Sequence, residues 1–186
     1  MFIDFEYTGL HQTTTPISLG IISECGKTFY AEFTDYSKTQ IDDWLLKNVI
    51  DNLCLDTLDN QANIHNWKIK GVTKNIKEAL EVWLSQFEEV VVWSDCLSYD
   101  WVLFCNIWGH AFNIPKNVYY IPMDICTLFD DKNIDPDISR EEYCEINSVM
   151  TEERTKGLPK EVVFAKHNAL WDAFIIRECY KKLTIF

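Results

Sequence analysis

Apolar and polar residues follow a two-residue period in the first third of the chain. Phe2, Ile3 and Phe5 flank Asp4 and Glu6 in a short β run. Ile17–Ser23 is apolar after Pro16, and Thr28–Thr34 sets Phe29, Ala31 and Phe33 against Tyr30 and Glu32. That alternation predicts strands. Glu24-Cys25-Gly26-Lys27 reads as the turn between the last two. The link back to the first strand is short, so a three-stranded antiparallel meander is the economical arrangement.

The period then changes to that of a helix. Ile41–Ile50 sets Ile41, Trp44 and Leu45 on one side, and Thr73–Phe87 repeats Ile76, Leu80, Trp83, Leu84 and Phe87 at spacings of three and four. Residues 51–71 carry no clear period. Val90–Trp93 reads as a buried parallel strand. Ser98–Gly109 is a predicted helix, Val118–Ile121 a strand, and Pro122 opens a short helix through Phe129. Asn168–Leu183 closes the chain as a helix, with Leu170, Phe174, Ile175 and Cys179 available for packing. The order predicts an α/β fold: a mixed five-stranded sheet, an antiparallel meander plus parallel strands, with helices on both faces.

Length and composition narrow the class. At 186 residues, 47% apolar and 25% charged, the chain suits one domain and excludes collagenous, coiled-coil and disordered classes. No apolar run approaches the roughly 20 residues that span a bilayer, so no membrane role is expected. Seven cysteines without a C-x-x-C read as reduced thiols. With no signal-peptide pattern at MFIDFEYTGL, the expectation is a cytoplasmic protein.

Charge complicates this picture. A net charge of −12 repels phosphate backbones. Residues 130–154 hold nine acids against Lys132, Arg140 and Arg154, so half of the excess lies in one segment. The region 130–160 reads as an acidic insertion, expected to be able to point away from any binding cleft.

The candidate chemistry lies in three places. Asp4 and Glu6, two apart on a strand, project from one face, while Ile3 and Phe5 face the core. Paired carboxylates on an apolar strand are costly unless a cation neutralises them, and an all-oxygen set favours Mg²⁺ or Mn²⁺. With 29 acids in the chain, roughly four or five acid-x-acid triplets arise by chance, so the context Thr8-Gly9-Leu10 carries the weight. Asp100 follows the 90–93 strand at the start of the next helix, where α/β sheets place ligands. An ordinary helix-dipole charge is its alternative reading. Asp95 competes with it; Asp100 is favoured because Ser98 can cap the helix that it enters. His167 and Asp172 flank the start of the last helix, which suits a base beside a metal ligand. A surface histidine is the alternative. Lys156, Lys160 and Lys166 read as a solvated charge run.

Taken in order, Asp4-x-Glu6-x-Thr8-Gly9-Leu10, Tyr99-Asp100 and His167-x-Ala169-x-x-Asp172 resemble the DnaQ-like, or DEDDh, family of 3′→5′ exonucleases. Ser-Asp95-x-x-Ser-Tyr99-Asp100-Trp101 makes the chain look most like the short bacterial and phage RNase-T-like exoribonucleases. Pro16-Ile-Ser-Leu-Gly20-Ile-Ile is similar to the second strand of the family. The chain departs from the pattern at Asp95, where many relatives carry asparagine, and in its acidic segment.

The resemblance implies an RNase-H-like fold and two-metal hydrolysis. Asp4, Glu6, Asp100 and Asp172 would hold two divalent cations, Mg²⁺ or Mn²⁺, with His167 as the base. It implies RNA 3′ ends as partner, favoured over DNA, and makes a homodimer plausible. Thr8, Gly9 and Leu10 would meet the terminal nucleotide, and Tyr7 and Trp101 could stack on bases. With 11 Phe, 8 Tyr and 7 Trp, core packing is an equal reading of both rings. A DNA-directed proofreading or repair exonuclease is the nearest alternative, followed by a non-catalytic nucleic-acid-binding module. A two-carboxylate glycosidase is a distant third.

Overall fold

The structure is a computed structural model that describes residues 1–55, 61–62, 65–146 and 154–184. Its strands are β1 (Phe2–Tyr7), β2 (Pro16–Ile22), β3 (Thr28–Phe33), β4 (Gln61–Ala62), β5 (Asn66–Gly71), β6 (Trp93–Ser94) and β7 (Met123–Asp124). The helices are α1 (Asp43–Asn48), α2 (Thr73–Leu84), α3 (Leu97–Ile107), α4 (Ile125–Asp131), α5 (Arg140–Tyr143) and α6 (Ala169–Thr184). The strands form one mixed sheet in the order β4-β5-β3-β2-β1-β6-β7. β1, β2 and β3 are the antiparallel meander, whereas β1–β6, β6–β7 and β3–β5 pair in parallel. The architecture is RNase-H-like, with two more strands than the sequence predicts.

The extra strands lie in the segment that has no readable period. In β5 every residue is half-buried, with Trp67 and Ile69 against the core and Lys70 paired with buried Glu32 at 3.0 Å. Trp67 and Ile69 alternate with Lys68 and Lys70, a strand period of only four residues that is easily lost in the irregular 51–71 segment. The strand predicted over 118–121 shifts. Val118 makes only an isolated parallel bridge to Val90, and regular pairing falls at Met123–Asp124 beside Trp93–Ser94. Pro122 therefore precedes a strand, and the short helix starts at Ile125, capped by the Asp124 carboxylate. The helix predicted over 41–50 contracts to Asp43–Asn48 between two 3₁₀ turns.

Helices cover both faces of the sheet. Ile3, Phe5, Leu19, Ile21 and Phe33 pack with Ile76, Leu80 and Trp83 of α2 and with Leu103 and Phe104 of α3. On the other side Phe2 and Ile22 meet Phe129 of α4 and Trp171, Phe174 and Cys179 of α6. The 130–160 region contains α5 and a 3₁₀ turn at Lys160–Val162. Its stretch 147–153 lies outside the described residues. Among the described residues no helix is long and apolar enough to cross a membrane.

Candidate active site

β1 sends alternate side chains to opposite faces. Ile3, Phe5 and Tyr7 enter the α2/α3 core, leaving Asp4 and Glu6 on the face that α6 covers. Asp4 lies opposite Gly20 in the β1–β2 register. A Cβ at Gly20 would sit 2.2 Å from the Ala169 carbonyl, so only glycine lets the start of α6 lie this close to the sheet. That approach brings Asp172, in the first turn of α6, up to Glu6.

Asn168 fixes the start of the helix. It is 1% exposed; its Oδ1 accepts from the Leu170 amide, and its Nδ2 donates to the Tyr30 hydroxyl, both at 3.1 Å. His167, the residue before, adopts a left-handed backbone with φ 62°. Such a conformation costs a non-glycine residue on the order of 1 kcal/mol and persists where its surroundings impose it. Its imidazole meets the Trp44 indole edge-on, with centroids 5.1 Å apart.

Asp100 is fully buried in the first turn of α3. Its Oδ1 accepts from the Phe5 amide at 3.3 Å, and its Oδ2 accepts from the Ser94 hydroxyl. Ser98 does not cap the helix as expected. α3 starts one residue earlier, with Cys96 at the N-cap position and no side-chain cap.

Two groups of potential ligands result. Glu6, His167 and Asp172 form one, and Asp4, Asp95 and Asp100 the other; within each, one donor atom per residue lies within 4.8 Å of the others. Asp95 and Asp100 thus stand together rather than as alternatives.

The electrostatics follow from this crowding. Burial first, then the Asp172 and Asp100 charges, push Glu6 up to about 9. Burial raises Asp100 to about 8, opposed by its hydrogen bond from Ser94. Asp172 also rises to about 8, through burial and then the Asp95 and Glu141 charges. Asp4 rises well above the ordinary carboxylate range through burial and then Asp100, Asp172, Glu6 and Asp95. Its Oδ2 is buried without a hydrogen-bond partner. Hard oxygen donors around an orphaned buried carboxylate oxygen suit a divalent cation of the Mg²⁺ or Mn²⁺ type, which would remove the repulsion. Burial, and then the Lys166 ammonium, lower His167 below the usual imidazole value. His167 is therefore neutral and able to accept a proton near pH 7.

The carboxylates open into a cleft of about 730 Å³. One wall is β1 and its turn, from Asp4 to Leu10; a second is Asp42, Trp44 and Leu45 of the α1 region; a third is Pro136–Glu141. Part of the acidic segment therefore does not point away, with Asp137 and Glu141 among the cleft-lining residues. Its 136–141 stretch forms the cleft wall, because Arg140 and the α5 turn fold it back towards α6. Lys166 is exposed and lines the same cleft.

The proposed substrate contacts separate. Leu10 is 70% exposed at the cleft, and Gly9 turns there with φ 148°. Tyr7 lines the cleft but stacks on Tyr99 at 5.5 Å. Thr8 is buried, its hydroxyl donating to Gln40 at 2.6 Å and accepting from the Thr15 amide at 2.9 Å. Trp101 stacks on Phe104 at 5.4 Å against the core and does not line the cleft, so the stacking role does not fit it. Trp44, Glu141 and Arg140 join the site without any motif to announce them. Arg140 and Glu141 lie in a segment with no packing period, and Trp44, which the helical period places with Ile41 and Leu45 on one side, is 54% exposed at the cleft instead.

The sequence matches the family described as the 3′-5′ exoribonuclease Rv2179c-like domain over residues 1–184. Two Mycobacterium tuberculosis proteins are similar to it. They are named 3′-5′ exoribonuclease MT2234.1, of strain CDC 1551 / Oshkosh, and 3′-5′ exoribonuclease Rv2179c, of strain ATCC 25618 / H37Rv. Each is 24% identical over 132 residues, which cover 70% of this chain and 74% of the relative.

Proposed function

The chain belongs to the Rv2179c-like family of 3′-5′ exoribonuclease domains, and from that premise we propose a DEDDh-type hydrolase acting on RNA 3′ ends. It releases nucleoside 5′-monophosphates one at a time. The observation that carries the reading is Asp4 Oδ2, buried and partnerless where Asp100, Asp172, Glu6 and Asp95 all raise its pKa. Asp4, Glu6, Asp100 and Asp172 would hold two divalent cations, Mg²⁺ or Mn²⁺. Bound there, such ions lower the pKa of a water and offset charge on the leaving 3′-oxygen.

The chain's own residues supply the rest. Neutral His167 takes the proton of the attacking water at an imidazole nitrogen, one of which lies within 4.8 Å of a carboxylate oxygen of Glu6 and of Asp172. Gly9 presents backbone groups to the terminal nucleotide, and exposed Leu10 packs against its base. Thr8 acts from behind, tying this turn to Thr15 and Gln40. Without bound cations the cleft offers phosphate little attraction, since the raised pKa values keep Asp4, Glu6 and Asp172 largely protonated near pH 7 and the other lining acids oppose Arg140 and Lys166.

End-labelled RNA and DNA digested in parallel test the reading. With Mg²⁺ or Mn²⁺, RNA should shorten from its 3′ end, and a chelator or a blocked 3′-hydroxyl should stop the reaction. Asp4→Asn and Asp172→Asn should each lower the rate by more than about a hundredfold. Full activity in either variant would overturn the ligand assignment. Cleavage of the blocked substrate would mean an endonuclease, and faster digestion of DNA would favour the DNA-directed alternative.

A further inference from the structure

Arg140 belongs to the cleft wall, yet none of its donors points at the space that a substrate would fill. One Nη1 donates to the Pro136 carbonyl at 2.6 Å and to the Ile138 carbonyl at 2.9 Å. Nη2 donates to the Cys126 sulfur at 3.1 Å, and the guanidinium lies 4.7 Å from the centroid of the Phe129 ring. These contacts close the 136–140 loop on itself and pin it to α4. The planar fork is what makes that possible, because a single ammonium cannot reach the same partners from one position.

The Nε donor lies on the side of the carboxylates. Arg140 Nε is buried without a hydrogen-bond partner, and Asp95 Oδ2 stands 3.7 Å away. This is an ion pair beyond hydrogen-bond range. Asp95 is also a member of the Asp4–Asp95–Asp100 group. A carboxylate has two oxygens and about four lone-pair positions, so Asp95 can face Arg140 and the cluster together. Asp95 is thus the joint between the cluster beneath the cleft and the acidic wall beside it.

We infer that Asp95 and Arg140 form a clamp that seats the Pro136–Glu141 wall against the carboxylate cluster, making Arg140 a positioning residue of the hydrolytic site. Arg140 acts through Asp95 and through the loop, without touching substrate. The clamp holds Glu141 in the cleft, where its Oε1 accepts from the Trp171 indole at 3.2 Å next to Asp172. It also keeps Asp95 turned between the guanidinium and the cluster. The inference rests on the nuclease reading for its consequence in catalysis, but not for its consequence in cation binding.

Asp95→Asn, Arg140→Gln, Arg140→Lys and the Asp95→Asn/Arg140→Gln pair test the clamp, with RNA digestion and calorimetric titration of Mn²⁺ as readouts. Each single variant should lose about 10- to 100-fold in kcat/KM, the scale of a small misplacement in an active site. Each should bind Mn²⁺ more weakly with unchanged stoichiometry. The pair should be no worse than its weaker member, because both changes break one interaction. Arg140→Lys should fail to rescue, since charge alone does not rebuild the loop. Losses that multiply in the pair, or wild-type kcat, KM and Mn²⁺ affinity in Arg140→Gln, would overturn the clamp. Should Arg140→Gln unfold, Asp95→Asn alone decides, because it leaves the loop carbonyl bonds intact: wild-type behaviour in both readouts refutes the clamp. If wild-type protein digests no RNA, the nuclease reading fails, and the Mn²⁺ titrations still judge the clamp.

Discussion

His167 combines two features that are rarely found together in one residue. Its φ of 62° places a non-glycine backbone in the left-handed region, and its imidazole is shifted to favour the neutral form by burial and Lys166. A nitrogen of that ring lies within 4.8 Å of a carboxylate oxygen of Glu6 and of Asp172, and on the proposed reading the neutral form takes a proton there. At saturating Mn²⁺, kcat/KM should therefore climb as pH rises through a value below the ordinary imidazole pKa, roughly 6.5. His167→Ala should lose that limb and about 10²- to 10⁴-fold in rate, while keeping Mn²⁺ affinity. A limb that persists in the variant would assign the proton transfer to another group. Asp4 and Glu6 state the complementary problem: carboxylates that burial first, and then their acidic neighbours, make costly to ionise unless a cation is bound.

Between elements, one close approach sets the geometry. Gly20 on β2 lies under Ala169, where α6 begins, and opposite Asp4 on β1. Three elements meet at that point, so the separation of Asp172 from the β1 carboxylates depends on a missing methyl group. Gly20→Ala would force the helix outward. It should destabilise the fold by about 3 kcal/mol, a fall in Tm of roughly 10 °C for a chain of this size. Activity should fall with it, because Asp172 moves. Gly71→Ala is the control, since its Cβ would meet only the Asn75 side chain at 3.4 Å. Its Tm should stay within about 2 °C of wild type. A Tm for Gly20→Ala as close to wild type as that of Gly71→Ala would show that α6 can shift without cost. α3 makes a second junction, where Asp100 accepts from the β1 backbone at Phe5 and from Ser94 at the end of β6.

For the molecule as a whole, the concentration of buried acids couples stability to pH and to cations. Folding raises Glu6 to about 9 and Asp100 and Asp172 to about 8, against about 4 for unfolded carboxylates. Between those limits the native state binds more protons than the unfolded one, so stability falls as pH rises. In chelator, Tm should decline from pH 5 to pH 9. Saturating Mn²⁺ should raise Tm, and by more at higher pH, because cation and proton compete for the same oxygens. Differential scanning calorimetry across that range checks both. An apo Tm that rises with pH, or a pH-independent gain from Mn²⁺, would contradict this account. The same coupling bears on the net charge of −12: on the proposed reading, a protein so acidic would meet an anionic polymer where bound cations offset the local negative charge.

Local patterns were enough to read the meander, the two long amphipathic helices and the strand-borne pair Asp4 and Glu6, because these depend on neighbours within a few residues. The alternation that buries Ile3 and Phe5 also turns the acids to the opposite face. The spacing of Asp4, Tyr99-Asp100 and His167-x-Ala169-x-x-Asp172 was sufficient to recognise a family. Other features depended on contacts between distant segments. β5 is a strand because Glu32 and the core receive its two faces, and its own alternation of Trp67 and Ile69 with Lys68 and Lys70 is too short to stand out from the irregular chain before it. Trp101 turned inward onto Phe104, a choice that helical spacing leaves open. The acidic stretch came to line the cleft because Arg140 closes its loop on Pro136 and Ile138 and turns towards Asp95. Periodicity describes which face a residue takes within its own element, and only packing in three dimensions decides what that face meets.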